Sequence, residues 1–255
     1  MVSDMTSLTA QEAINQVAPI IGDLGSKFML DKATMDAATE AGYGHQFALY
    51  FLGRGGVLGD VDADVIVAAF AFFEPGMVRT MWDMARQTAD VDAAVKQYAG
   101  LCAKYGETHL GSIKGLEQFN ELAEKVIDSV DVSGLSLFAG WRKVARPSNP
   151  AARAYQNIHV MREWRGSAHI CAVAAAGVTP QQAIITGAPN AEAGVATAQA
   201  FGWAGDCGDL SHLAKTREAI EQATTAMQVP AFSALSGSEL AEFVDLVQAI
   251  KAAHN

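Results

Sequence analysis

The feature that most restricts this chain is the stretch from Arg162 to Gly177, R-E-W-R-G-S-A-H-I-C-A-V-A-A-A-G. It is rich in alanine, free of proline, and continues a helical pattern that begins near Ala151. The spacing predicts one long central helix over 151–176, ended at Gly177, because glycine accepts the left-handed backbone that closes a helix. Tyr155, His159, Arg162, Gly166, His169 and Val173 recur at steps of three or four and so share one stripe. Much of the remaining surface is apolar: Ile158, Val160, Met161, Trp164, Ile170, Cys171 and Ala172. A helix that is apolar on most sides is buried. Two histidines and an arginine on it then face either a water-filled cavity or a narrow exposed seam.

The rest of the chain gives such a helix enough to pack against. Of 255 residues, 50% are hydrophobic and 18% charged, which suits one large domain or two small ones and disfavours disorder. The net charge is −10, from 28 acids and 18 bases, so nucleic acid and anionic membranes repel the chain unless its bases cluster. Cys102, Cys171 and Cys207 are far apart and odd in number, a pattern for a reducing compartment rather than a disulfide framework. The N-terminus lacks a basic segment followed by an apolar run. The most apolar stretch, 65–73, is too short to span a bilayer. The expectation is a cytoplasmic protein with no membrane partner.

Helical spacing recurs along the whole length, and no period-2 run of five or more residues suggests a strand. Thr9 with Glu12 forms a capping box for a helix to about Ile21, which Gly22 and Gly25 then break. Further helices are expected over 33–41, 43–52, 62–73, 77–86, 90–105, 116–130 and 134–144. Arg54 stands in a glycine-dense turn with Gly53, Gly55, Gly56 and Gly59. This turn is no phosphate loop, since no Gly-Lys-Ser/Thr follows. Arg146-Pro147-Ser148-Asn149-Pro150 is the clearest linker. Beyond Gly177, helices are expected over 179–186, with Thr179 as cap and Pro180 first, then 191–201, 213–227 and 238–254.

Two blocks carry a resemblance. One is F-L-G-R-G-G-V-L-G (51–59) with V-I-V-A-A-F-A-F-F-E-P-G-M-V (65–78) and Trp82. The other is N-P-A-A-R-A-Y (149–155) with R-E-W-R-G-S-A-H-I (162–170), then Gly202-Trp203. Together, over about 33–236, they resemble an actinobacterial family of helical proteins of unassigned function, described as helix-turn-helix-like through a winged-helix likeness. The resemblance implies an α-helical architecture with helix-turn-helix-like units and no particular reaction. This chain departs from the pattern at Ser167, where an acid is usual, and in the first helix, where Ile20-Ile21-Gly22 replaces a histidine.

A winged-helix unit would place its reading helix at 191–201. No lysine or arginine occurs from Gly166 to Ala214, while Glu192, Asp206 and Asp209 do. Base and phosphate contacts draw on Arg, Lys, Asn and Gln, and this helix offers only Gln199. Residues 40–78 hold Arg54 as their one Lys or Arg, against five acids. Nucleic acid is therefore not the expected partner, although a homodimer could gather basic charge from elsewhere.

The chemistry candidates are His169 and Arg165, as a proton-transfer or ligating group and its cation, with Arg162 and Arg54 as anion holders. Tyr43, His45 and Tyr50 precede Arg54, and Tyr155, His159 and Trp164 lie on the central helix. All six are candidates to line the same cavity, although aromatics at helical spacing are more often core. Each has a plain alternative: for Arg54 a salt bridge with a neighbour such as Asp60 or Glu74, and for His169, Arg165 and Arg162 an ordinarily solvated helix-surface stripe or a satisfied core histidine. No metal-binding motif is present, so a haem or metal could be held only through His169. The expected molecule is all-α, with two helix-turn-helix-like halves, 1–146 and a winged-helix-like 151–255, packed about the central helix. Its expected role is a small-molecule-binding protein or enzyme with a mostly apolar pocket. The alternatives are a DNA-binding regulator under ligand control and a scaffold.

Overall fold

A computed structural model describes residues 8–254. Among these residues the regular structure is helical throughout, with no strand. In chain order the helices are α1 (Ala10–Leu24), α2 (Lys32–Glu40), α3 (Gln46–Gly55), α4 (Ala63–Phe70), α5 (Pro75–Arg86), α6 (Val91–Leu110) and α7 (Leu116–Ser129). They continue with α8 (Ser136–Trp141), α9 (Pro150–Ala175), α10 (Pro180–Gly187), α11 (Ala191–Ala200), α12 (Ala214–Ala226), α13 (Val229–Phe232) and α14 (Gly237–His254).

Local chemistry sets several of these boundaries. The Thr9–Glu12 box caps α1, and a Thr179–Gln182 box with Pro180 in the first turn starts α10. Asn149 opens α9: its Oδ1 accepts from the amides of Ala151 and Ala152, and Pro150 supplies a first residue with no N–H to satisfy. Gly177, with φ 67°, closes that helix.

Two expectations fail where packing outweighs local preference. First, α1 does not stop before Gly22; it runs through both Pro19 and Gly22 to Leu24. It buries Ala13, Ile14, Val17, Ala18, Ile20, Ile21 and Leu24, and packs on α14, α9 and α13. Seven buried side chains exceed the roughly 1 and 3 kcal/mol that an interior glycine and proline cost. Second, Arg54 does not sit in a glycine turn. It occupies the last turn of α3, which begins only at Gln46 with His45 as its cap. The glycines there serve close approach. A Cβ on Gly53 would lie 2.5 Å from Tyr98 Cβ, and one on Gly56 would lie 2.7 Å from Val91 Cγ1, so α3 rests almost backbone-to-helix on α6.

α9 packs against α6, α7, α12, α8 and α1, elements from both sides of the Arg146–Pro150 linker. The main core runs from Ala13 to Ile250. A smaller cluster, Ala172, Val173, Val178, Ala183 and Ile220, with Phe72 and Leu213 against it, holds α10 near the end of α9. α10 and α11 form a helix-turn-helix pair joined by Ala188, Pro189 and Asn190. Gly194 makes that pair tight, since a Cβ there would meet the Ile185 carbonyl oxygen at 2.5 Å. Where a wing would follow α11 there is loop and the short 3-10 turn Ser211–Leu213.

That loop clasps the turn after α4. Trp203 Nε1 donates to the Phe72 carbonyl at 2.7 Å, and the Glu74 amide donates to the Phe201 carbonyl at 2.8 Å. Phe73 stacks on Phe201 with ring centroids 4.2 Å apart. At the head of this turn Ala71 has φ 20°, the one non-glycine with positive φ among the described residues.

Candidate functional site

The centre of the molecule holds an arginine–glutamate–arginine cluster. Arg54 donates to Glu163 twice, from Nε at 2.9 Å and from Nη2 at 2.8 Å, and donates from Nη1 to the Tyr50 hydroxyl at 2.9 Å. Its backbone carbonyl accepts from Trp141 Nε1 at 3.1 Å, and its guanidinium lies 4.5 Å from the centroid of the Phe70 ring. Arg162 Nη1 donates to Glu163 Oε1 at 2.8 Å. Arg54 and Glu163 are buried, whereas Arg162 keeps 26% of its side chain exposed. Burial alone would raise the Glu163 carboxyl; the charges of Arg54 and Arg162 overcome it and bring the group down to about 2. Two cations thus share one carboxylate, and one positive charge is left over.

That charge borders a cavity of about 110 Å³, room for about four waters at roughly 30 Å³ each. Its polar lining comes from Tyr50, Arg54, Arg162 and Ser167, and its apolar walls include Phe70, Phe73 and Leu137. Ser167 is buried, and its hydroxyl makes no hydrogen bond among the described residues.

Less than one turn farther along α9, at Arg165, the arrangement recurs. Arg165 and Arg217 both pair with Glu221, at 2.5 Å for Arg165. His169 Nδ1 stands 3.0 Å from Thr224 Oγ1. The ring lines an outer cleft of about 360 Å³ together with Phe72, Ile184, Pro189, Thr197, Phe201 and Arg217. Burial lowers the His169 imidazole to about 4; Glu221 pulls the other way, and Arg165 and Arg217 oppose it. Phe72 and Phe201 line both the inner cavity and the outer cleft.

The stripe predicted from sequence is therefore divided. Tyr50, Arg54 and Arg162 meet at the inner cavity, and His169 lines the outer cleft, with Arg165 joined to it through Glu221. The other candidates lie elsewhere. His159 is fully buried, edge-on to Phe28 and Trp141, with Nδ1 3.4 Å from the Gly25 carbonyl. Its Nε2 stands 3.9 Å from Glu163, too far to bond. Burial, the larger effect, holds it down to about 4 against the pull of Glu163. Tyr155 bonds the backbone of Leu24 and Phe28, Trp164 stacks on Phe232, Tyr43 reaches toward Gln97, and His45 is an exposed helix cap. Sequence reading missed Glu163, Glu221 and Arg217. Glu163 stands inside the R-E-W-R motif of so apolar a helix, and an acid there needs a cationic partner.

Among the described residues no group of three or more His, Cys, Asp or Glu side chains is gathered to hold a metal ion. No single described helix is long and apolar enough to cross a membrane. What the geometry can do is hold an anionic group against a guanidinium in the core and offer an imidazole at the cleft. These features define an all-helical protein with a guanidinium-lined hollow beside its central helix and a helix-turn-helix pair on its flank. A family model described as a helix-turn-helix family matches residues 16–255, and the chain belongs to that family. No curated protein and no solved structure gives a significant match.

Proposed function

We propose that this protein binds a small organic acid, its carboxylate seated between Arg162, Arg54, Tyr50 and Ser167 and its apolar end against Phe70 and Phe73. The observation that carries this reading is the unbalanced charge: two guanidiniums and one carboxylate beside a small, partly open, aromatic-walled cavity. A surplus charge that is only partly exposed is incompletely hydrated, and a ligand anion offsets that cost. Arg162 still has donors to give, since its only side-chain hydrogen bond among the described residues is the one to Glu163. The cavity volume favours acids of a few carbons over larger metabolites. Calorimetry with propionate and its neutral amide tests it. Propionate should bind the folded protein, propionamide should not, and Arg162→Gln should weaken propionate about tenfold, the scale of one charge-assisted bond. Equal binding of acid and amide, or of neither, rejects the reading.

The family description invites a second reading, duplex binding through α10 and α11. The exposed positions of α11 are Ala191, Glu192, Val195, Ala196, Thr197, Gln199 and Ala200, which offer no lysine or arginine to neutralise phosphate. The charge pattern favours the ligand-binding reading.

A further inference from the structure

The outer cleft has a chemical preference of its own, set by a hydroxyl behind it. Thr224 is fully buried, and its Oγ1 donates its one proton to the Ile220 carbonyl at 2.8 Å, four residues back in α12. The same oxygen is 3.0 Å from His169 Nδ1. With its proton already committed, Oγ1 can only accept. Nδ1 therefore carries the imidazole proton, and Nε2 is left as an acceptor that no protein group among the described residues engages.

The neighbours restrict what can answer that lone pair. Glu221 already engages Arg165 and Arg217, and it lies 3.8 Å from His169 Nδ1. An anion at Nε2 would set lone pair against lone pair. A cation would meet two guanidiniums balanced by one carboxylate. A neutral N–H or O–H donor meets neither objection. The walls favour a flat body: the Phe72 ring lies 5.7 Å from the imidazole at 33°, and Phe201, Ile184 and Pro189 supply apolar surface. The volume, about 360 Å³, lies in the range of small-molecule sites.

We infer that the cleft beside His169 is a second ligand site, which takes a neutral, flat, aromatic molecule that donates a hydrogen bond to His169 Nε2. It stands apart from the acid site of the inner cavity and does not rest on it.

Indole and 1-methylindole are suitable probes, because they differ in the N–H and little else. Binding is read by titration of amide NMR spectra. The wild-type protein should bind indole about tenfold more tightly than 1-methylindole, because the methylated ring displaces water from Nε2 without offering it a donor. His169→Phe keeps a ring in the wall and should erase the difference. Thr224→Val removes the acceptor that fixes the tautomer and should shrink it. Arg162→Gln should leave indole binding unchanged. Equal binding of the two probes by the wild-type protein, or binding of neither at millimolar concentration, overturns the inference. So does loss of indole binding in Arg162→Gln, which would place the probe in the inner cavity.

Discussion

Arg54 and Glu163, 109 residues apart in sequence, meet through two parallel hydrogen bonds of 2.9 and 2.8 Å at the centre of the molecule. The pair joins α3 to α9 and sets the charge of everything that borders the inner cavity. Removing one partner leaves the other buried without compensation, which costs about 3–5 kcal/mol, whereas replacing both with apolar side chains of similar volume is close to neutral. Urea unfolding of Arg54→Met and Glu163→Leu should therefore show large single losses and a double variant more stable than either. Additive losses would mean that the two groups do not act as a unit.

The acid dependence of stability follows from the two imidazoles. His159 and His169 are held at about 4 in the folded protein, below the ordinary 6.5. An unfolded chain takes up these protons first, so the stability they contribute is complete above pH 6.5 and is lost as pH falls toward 4. Each imidazole contributes about 3 kcal/mol across that window, somewhat less for the partly exposed His169. Glu163 adds a further loss between its ordinary 4.5 and about 2. Denaturation midpoints should be nearly level from pH 7.5 to 6.5 and fall from 6.5 to 4.5, and His169→Gln should flatten that fall. A midpoint independent of pH over that range would contradict the burial of these rings.

Ser167 offers a direct control over ligand charge. It is buried in the wall of the inner cavity beside Arg54 and Arg162. An aspartate there would supply the missing negative charge from within the protein. Ser167→Asp should lower propionate affinity at least tenfold without unfolding the chain, and thermal melting should show equal or greater stability. Undiminished propionate binding in that variant would place the acid elsewhere.

Duplex DNA provides a separate check. With no lysine or arginine between Gly166 and Ala214, filter binding of random duplex at low salt should give only weak retention. Lys215→Ala and Arg217→Ala should not change it. Tight, strongly salt-dependent retention would restore the regulator reading.

Much of this architecture was legible locally. Asn149, Pro150 and Gly177 mark the ends of α9 by backbone chemistry alone, and Thr179 with Gln182 marks α10 the same way. The site was legible only in part. In sequence alone Arg54 looks like a turn residue, because glycines serve turns and close helix contacts alike; only the proximity of Tyr98 and Val91 separates the two. Glu163 went unnoticed because its partner lies on another helix, a relation no spacing rule contains. His159 and His169 share a stripe, yet α6, α8 and α12 cover that stripe differently along its length. One ring faces Trp141 and the other a cleft.

Phe72 and Phe201 stand between the two hollows like a shared door, hung on Trp203 and Glu74. A substitution at either ring therefore alters the lining of both hollows at once, since one wall, built from the turn after α4 and the end of α11, serves the two.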